Sequence, residues 1–176
     1  MPERYALIVA NGTYRDEKLS RLRTPTRDAE ELARVLRDPK IGDFAVELAV
    51  DEPWAVLRHK VAVFFADRSR DDLLLLHFSC HGLKDDSGQL YFAATDTEVA
   101  HLDATALSAE YVSGQMTRSR SRKVVALLDC CYSGAIARGL RFRGGDQVDL
   151  KDHLDGHGRV ILTASSAMEY AFEGTS

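Results

Sequence analysis

Short apolar runs punctuate the chain at Tyr5 to Ala10 (YALIVA), Phe44 to Val50 (FAVELAV), Asp72 to Ser79 (DLLLLHFS), Lys123 to Asp129 (KVVALLD) and Arg159 to Thr163 (RVILT). Each has strand length, and each is nearly continuous in aliphatic and β-branched residues. That is the pattern of strands covered on both faces, as in a parallel sheet. Between them the period lengthens to that of a helix. In TPTRDAEELARVLRD, Ala29, Leu32, Ala33, Val35 and Leu36 share a face, with Thr26 as the expected cap and Pro39 as the stop. PWAVLRHKVAVFFADR aligns Val56, Leu57, Val61, Phe64 and Phe65, with Pro53 near the first turn. A third helix is predicted through SAEYVSGQMTRS, with Gly114 as its weak point. The run LYFAA reads as a small hairpin or surface strand, and the polar stretch from Ala135 to Gly158 as a long loop.

Alternating strands and helices predict an α/β domain with a mostly parallel sheet. Functional groups in such sheets gather beyond the carboxyl ends of the strands. Two junctions therefore stand out: Ser79-Cys80-His81-Gly82 after the third run, and Asp129-Cys130-Cys131-Tyr132-Ser133-Gly134 after the fourth.

Composition then narrows the setting. With 176 residues, 45% of them hydrophobic, the chain suits one domain with a core of ordinary size. A formal net charge of −4 gives no global basic field, which argues against nucleic acid as a main partner. The start MPERYALIVANG lacks a basic leader before a long apolar segment, and no apolar run could span a bilayer. A cytoplasmic protein without a membrane partner is expected. Three cysteines make no disulfide framework, so reduced thiols are expected. Cys80 beside His81, and Cys130 beside Cys131, are too close in sequence for spaced ligand pairs, so neither a metal site nor another cofactor is expected.

At the third run's end, His81 should project into a crevice, where a neutral imidazole suits acid–base work; a structural histidine bonded to a carbonyl is the alternative. In a strand that alternates its side chains, Cys130 should point to the core and Cys131 to the crevice. A thiol there needs an imidazole to take its proton. The turn at Ser133-Gly134 lets main-chain N–H groups face an oxyanion.

Together, SCHG and DCCYSG, with histidine and cysteine about fifty residues apart, resemble the caspase-like cysteine peptidases, and more closely their metacaspase and bacterial branches. Further matches lie in YALIVANGTYRD, in LRTPTRDAEELARVL and in VILTASSAMEYAFE. The resemblance implies a sheet with helices on both faces, an α/β/α sandwich, and peptide hydrolysis by a Cys–His dyad. Carried over, Cys131 becomes the nucleophile and His81 the base and then acid, with the N–H groups of Gly82 and Cys131 holding the oxyanion. Asp28, Ser79 and Asp129 match the metacaspase pocket, whose carboxylates favour Arg or Lys before the scissile bond. Asp28 also reads as a helix-start acid, and Asp129 as a carboxylate bonded to loop amides.

The chain departs from the pattern in places. Pro25 stands where metacaspases usually have a cysteine, and the basic residues with which animal caspases bind aspartate are not evident. Asp85 and Asp86 supply no calcium ligand set. In family terms, residues 1–134 form the large-subunit region, 135–158 a linker loop and 159–176 the start of the small-subunit region. Family members carry at least one more strand and helix, so the resemblance implies a fragment: either a sequence cut short, or the large piece of a processed precursor whose C-terminal remainder stays bound as a partner. Arg138, Arg141 and Arg143 are the candidate self-cleavage sites, with a solvated charged loop as the alternative. The partners implied are protein or peptide substrates and a sensor or regulatory protein. A catalytically silent caspase-like scaffold is the alternative function.

Overall fold

The computed structural model describes residues 3–130 and the strand 159–163. All five predicted strands form, as β1 (Arg4–Ala10), β2 (Ala45–Val50), β3 (Leu73–Ser79), and, further along, Lys123–Asp129 and Arg159–Thr163. They make one parallel sheet in which β1 lies between β2 and β3, with Lys123–Asp129 beside β3 and Arg159–Thr163 beyond it. The helices α1 (Pro25–Arg37) and α2 (Trp54–Phe65) make the first two crossovers. The chain steps from β1 to β2 in one direction and from β2 past β1 to β3 in the other. Right-handed crossovers then put α1 and α2 on opposite faces.

The strand alternation sorts the core accordingly. Leu7, Val9, Leu74, Leu76 and Phe78 pack with Leu57, Val61, Phe64 and Phe65 of α2. Ile8 and Ala10 face the other way, against Ala29 and Ala33 of α1. Burying Leu74, Leu76 and Phe78 completely contributes about 1.5–3 kcal/mol each. Beyond β1 the α1 face is thinly covered by the described residues. Leu75 and His77 are half-buried there, and Val160 and Leu162 are 51% and 55% exposed.

Between β3 and the fourth main strand the chain builds a second, antiparallel sheet from β4 (Gly82–Lys84), β5 (Leu90–Phe92) and β6 (Leu107–Ser108). A short helix α3 (Leu102–Thr105) precedes β6, and α4 (Ala109–Arg118) follows it, leading to β7 (Lys123–Asp129) and β8 (Arg159–Thr163). The predicted hairpin forms, with β4 and β5 as its antiparallel arms, but β5 is a buried central strand and not a surface one. Phe92 stacks on Phe78 at 4.3 Å between ring centroids, while Tyr91 joins Leu19, Leu83 and Leu102 on the opposite face. Both sides of the strand are thereby enclosed.

Two helix details differ in degree from the sequence reading. The cap of α1 is Thr24 and not Thr26, because Pro25 occupies the first turn, where its fixed φ and missing N–H cost nothing. α4 runs unbroken through Gly114, held by the buried Val112 and Met116 on either side and by Ser108 Oγ, which accepts from the Tyr111 N–H. Among the described residues no helix is long and apolar enough to cross a membrane.

Candidate active site

The reversal of strand order between β1 and β3, which run parallel, opens a crevice at their carboxyl ends, the position where α/β sheets assemble their sites. The segment after β1 is folded over it by a dense set of bonds. Asn11, fully buried, donates its N–H to Ser79 O (2.9 Å) and its Nδ2–H to Ala93 O (2.9 Å), and accepts from Glu52 N–H at Oδ1 (3.2 Å). One residue, through its backbone and its side chain together, thus joins β1, β3, the end of β2 and the end of β5. Asp51 holds a left-handed backbone (φ 49°) and accepts from Gly12 N–H (2.8 Å) and Thr13 N–H (3.0 Å). Gly12 is needed for close approach: a Cβ there would meet Leu22 O at 3.2 Å, the residue whose N–H bonds back to Gly12 O.

This folding carries the Ser20 carbonyl onto His81. Nε2 of His81 lies 2.7 Å from Ser20 O. A carbonyl can only accept, so Nε2 carries the proton and Nδ1 keeps the lone pair. His81 is only 2% exposed, and its Nδ1 is buried with no hydrogen-bond partner among the described residues. Burial penalises the imidazolium and lowers the pKa below the ordinary imidazole value, even though the Ser20 carbonyl pulls the other way. The result is a neutral, oriented ring with its basic nitrogen uncommitted. His81 is enclosed more deeply than a side chain projecting into an open crevice.

Tyr14 holds the histidine from a second side. Its phenol accepts from the His81 N–H (3.1 Å) and donates to Asn11 O (2.7 Å), and its ring lies 4.9 Å from the imidazole. Burial, followed by the nearby Cys80, pushes the phenol well above its ordinary pKa, so it remains protonated. Downstream, Ala93 N–H donates to His81 O at 3.0 Å. That bond makes His81 and Ala93 a hydrogen-bonded pair of the antiparallel ladder. The adjoining Gly82–Phe92 pair is then non-bonded, and the Gly82 N–H points away from β5.

The remaining predicted residues fall into two groups. Register sets Ser79 opposite Asp129, one strand spacing apart on the sheet face that α1 covers. Ser79 is buried and Asp129 exposed; the Asp129 carboxylate makes no hydrogen bond among the described residues and acts electrostatically on His77. Asp28 is exposed in the first turn of α1, above the same face, and its N–H bonds to Thr24 O. Cys131 and the arginines Arg138, Arg141 and Arg143 lie outside the described residues. Cys130 packs against the core on the α2 face as expected, 3.7 Å in Sγ–Sγ distance from Cys80. Asp85 is spent on its own turn, accepting from Ser87 and Gln89 N–H groups and from Tyr91 Oη. A cleft of about 540 Å³, lined by Arg68, Arg70, Arg118 and Arg120 among others, lies at the opposite end of the strands.

Tyr14, Ser20, Asn11 and Asp51 were not singled out by the sequence. A backbone carbonyl has no side-chain signature, but the Asn-Gly at a strand end was a signal that the chain turns back there.

The family model described as "Caspase domain" matches residues 3–176, nearly the whole chain. The chain belongs to the caspase-domain family. Solved structures share the fold of this caspase-domain chain. Protein GSU0716 from Geobacter sulfurreducens superposes with a TM-score of 0.61 at 17% identity, covering 87% of this chain and 60% of its own. Pro-sf-caspase-1 does so with a TM-score of 0.52 at 13% identity, covering 84% of this chain and 51% of its own. The caspase-domain chain thus spans between half and two thirds of the length of these solved chains. No curated protein matches the sequence.

Proposed function

We propose that the chain is a cysteine endopeptidase in which Cys131 is the nucleophile and His81 its general base. The observation that carries this reading is the buried His81 ring, with Nε2 committed to Ser20 O and the Nδ1 lone pair without a partner among the described residues. Nδ1 takes the Cys131 thiol proton as sulfur attacks the peptide carbonyl, then returns it to the leaving amine. Water enters the acyl-enzyme by the same base. The Gly82 N–H, turned away from β5, and the Cys131 N–H would stabilise the oxyanion, each donor worth a rate factor of about 10²–10³.

The preference proposed is for Arg or Lys before the scissile bond. Ser79 and Asp129 are register neighbours and Asp28 stands above the same face, a setting that favours a cation and repels an acidic side chain. Self-cleavage at Arg138, Arg141 or Arg143 follows from that preference. The exposed Val160 and Leu162 are the surface that the remainder of the precursor would cover.

Fluorogenic peptides ending in Arg, Lys or Asp, offered to wild type and Cys131→Ala, test the reading. Turnover of Arg and Lys peptides that disappears in Cys131→Ala is expected. Cleavage confined to the Asp peptide would overturn the pocket assignment. Identical behaviour of the two proteins toward every peptide would favour an interaction module.

A further inference from the structure

Neither thiol of the Cys80–Cys130 contact is used by the mechanism above, yet each immediately precedes one of its two reacting residues. Ser79 and Asp129 are the last register pair of β3 and β7, so Cys80 and Cys130 are the next residues across. Adjacent strands lie about 4.8 Å apart, inside the Cα separation of about 4.4–6.8 Å that a disulfide spans. Both side chains turn to the α2 face and pack in the same cluster. Their sulfurs already touch at 3.7 Å. Cys130 also forms the floor under Gly82, whose added Cβ would sit 3.5 Å from Cys130 Cβ.

We propose that Cys80 and Cys130 are an oxidation site: a hydroperoxide joins them as an intrachain disulfide beneath the candidate active site, and the crosslink reversibly withdraws its activity. The second half rests on the peptidase reading; the first does not. Cys130 is partly exposed and Cys80 only 1%, which sets the order of events. The Cys130 thiol attacks the peroxide oxygen, giving its sulfenic acid and an alcohol. Cys80 then attacks the Cys130 sulfur, forming the S–S bond and releasing water. The peroxide is reduced and the two thiols give up two electrons and two hydrogens. Hydrogen bonding with Cys80, together with burial, pushes the Cys130 thiol well above its ordinary pKa. The first step is accordingly slow at neutral pH and accelerates as pH rises.

Closing the sulfurs from 3.7 Å to about 2.05 Å turns the side chains beneath Gly82 and ties to each other the two chain segments that lead into His81 and Cys131. A displacement near 1 Å at reacting groups costs about 10² in rate.

The crosslink is sought first in Cys131→Ala, treated with tert-butyl hydroperoxide and digested without reduction. A species joining the Cys80 and Cys130 peptides, two hydrogens lighter, formed faster at pH 9 than at pH 7 and abolished in Cys80→Ser, is expected. Two thiols that stay free, or that pass only to sulfinic acid in the folded protein, would overturn the site. In wild type, the fraction that carries the crosslink with Cys131 still alkylatable is then assayed on the Arg peptide. Activity about 10²-fold lower, restored by dithiothreitol, is expected; undiminished activity would overturn the regulatory half. Wild type inactive before oxidation, with the crosslink present in the mass map, would refute the peptidase reading and leave the oxidation site standing.

Discussion

Tyr14→Phe isolates what holds the histidine in place. The substitution keeps the ring that lies 4.9 Å from His81 and removes one oxygen. That oxygen accepts from the His81 N–H and donates to Asn11 O. Both partners are buried residues, so the change leaves a donor and an acceptor with nothing to bond and no ready access to water. Leaving one such group unsatisfied costs about 1–3 kcal/mol. Because the phenol's own desolvation is relieved at the same time, the net cost should be about 2 kcal/mol, and not the sum for two groups. In a domain of this size that lowers Tm by about 4–8 °C. Urea unfolding followed by far-ultraviolet circular dichroism measures it as a shift in midpoint with unchanged slope. A second readout separates positioning from bulk stability: kcat on the Arg peptide should fall while KM holds. A midpoint within about 0.3 kcal/mol of wild type, well inside the ordinary effect of a surface change, would show that the phenol is not what satisfies the His81 N–H.

Other perturbations bear on the pocket, the loop and the pH range. Asp129→Asn removes a carboxylate from the proposed pocket and should lower kcat/KM for Arg peptides by about 10–150-fold, the equivalent of a charged hydrogen bond; equal loss on a peptide with a neutral residue there would count against a specificity role. Asp51→Ala orphans the Gly12 and Thr13 N–H groups and puts alanine at φ 49°, so destabilisation of about 1–3 kcal/mol is expected by urea midpoint. Burial lowers the pKa of both His77 and His81 below the ordinary 6.5. The unfolded chain then binds more protons than the folded one as pH falls below that value, so this contribution to stability is complete above about pH 6.5 and is lost on acidification toward the folded pKa values. His77→Gln should flatten the fall in urea midpoint between pH 7.5 and 5.5; an unchanged slope would mean that His77 is not the source.

The strands were legible because a strand enclosed on both faces must be apolar at almost every position, and YALIVA, DLLLLHFS and KVVALLD are. Their order was not, since β1 and β3 become neighbours only through crossovers that contacts distant in sequence decide. LYFAA is too short for its pattern to tell a surface strand from a central one, and the stacking of Phe92 on Phe78 across the two sheets is what encloses it. His81 could be singled out because an imidazole carries its chemistry in its side chain. Its orienting partner could not, because Ser20 acts through a carbonyl that every residue possesses. Likewise Cys80 and Cys130 lie fifty positions apart, and only the register of β3 with β7 makes them neighbours.

The central claim is that His81 Nδ1 serves as the base for the Cys131 thiol, and the pH dependence of Cys131 alkylation tests it without requiring a substrate. Wild type and His81→Ala are treated with iodoacetamide from pH 5 to 10, and labelling is read by fragment-ion mass spectrometry, which separates Cys131 from Cys130. The account expects rapid labelling of wild-type Cys131 well below the ordinary thiol range near 8.5, and in His81→Ala a slower reaction whose midpoint returns to that range. Superimposable profiles for the two proteins would contradict it.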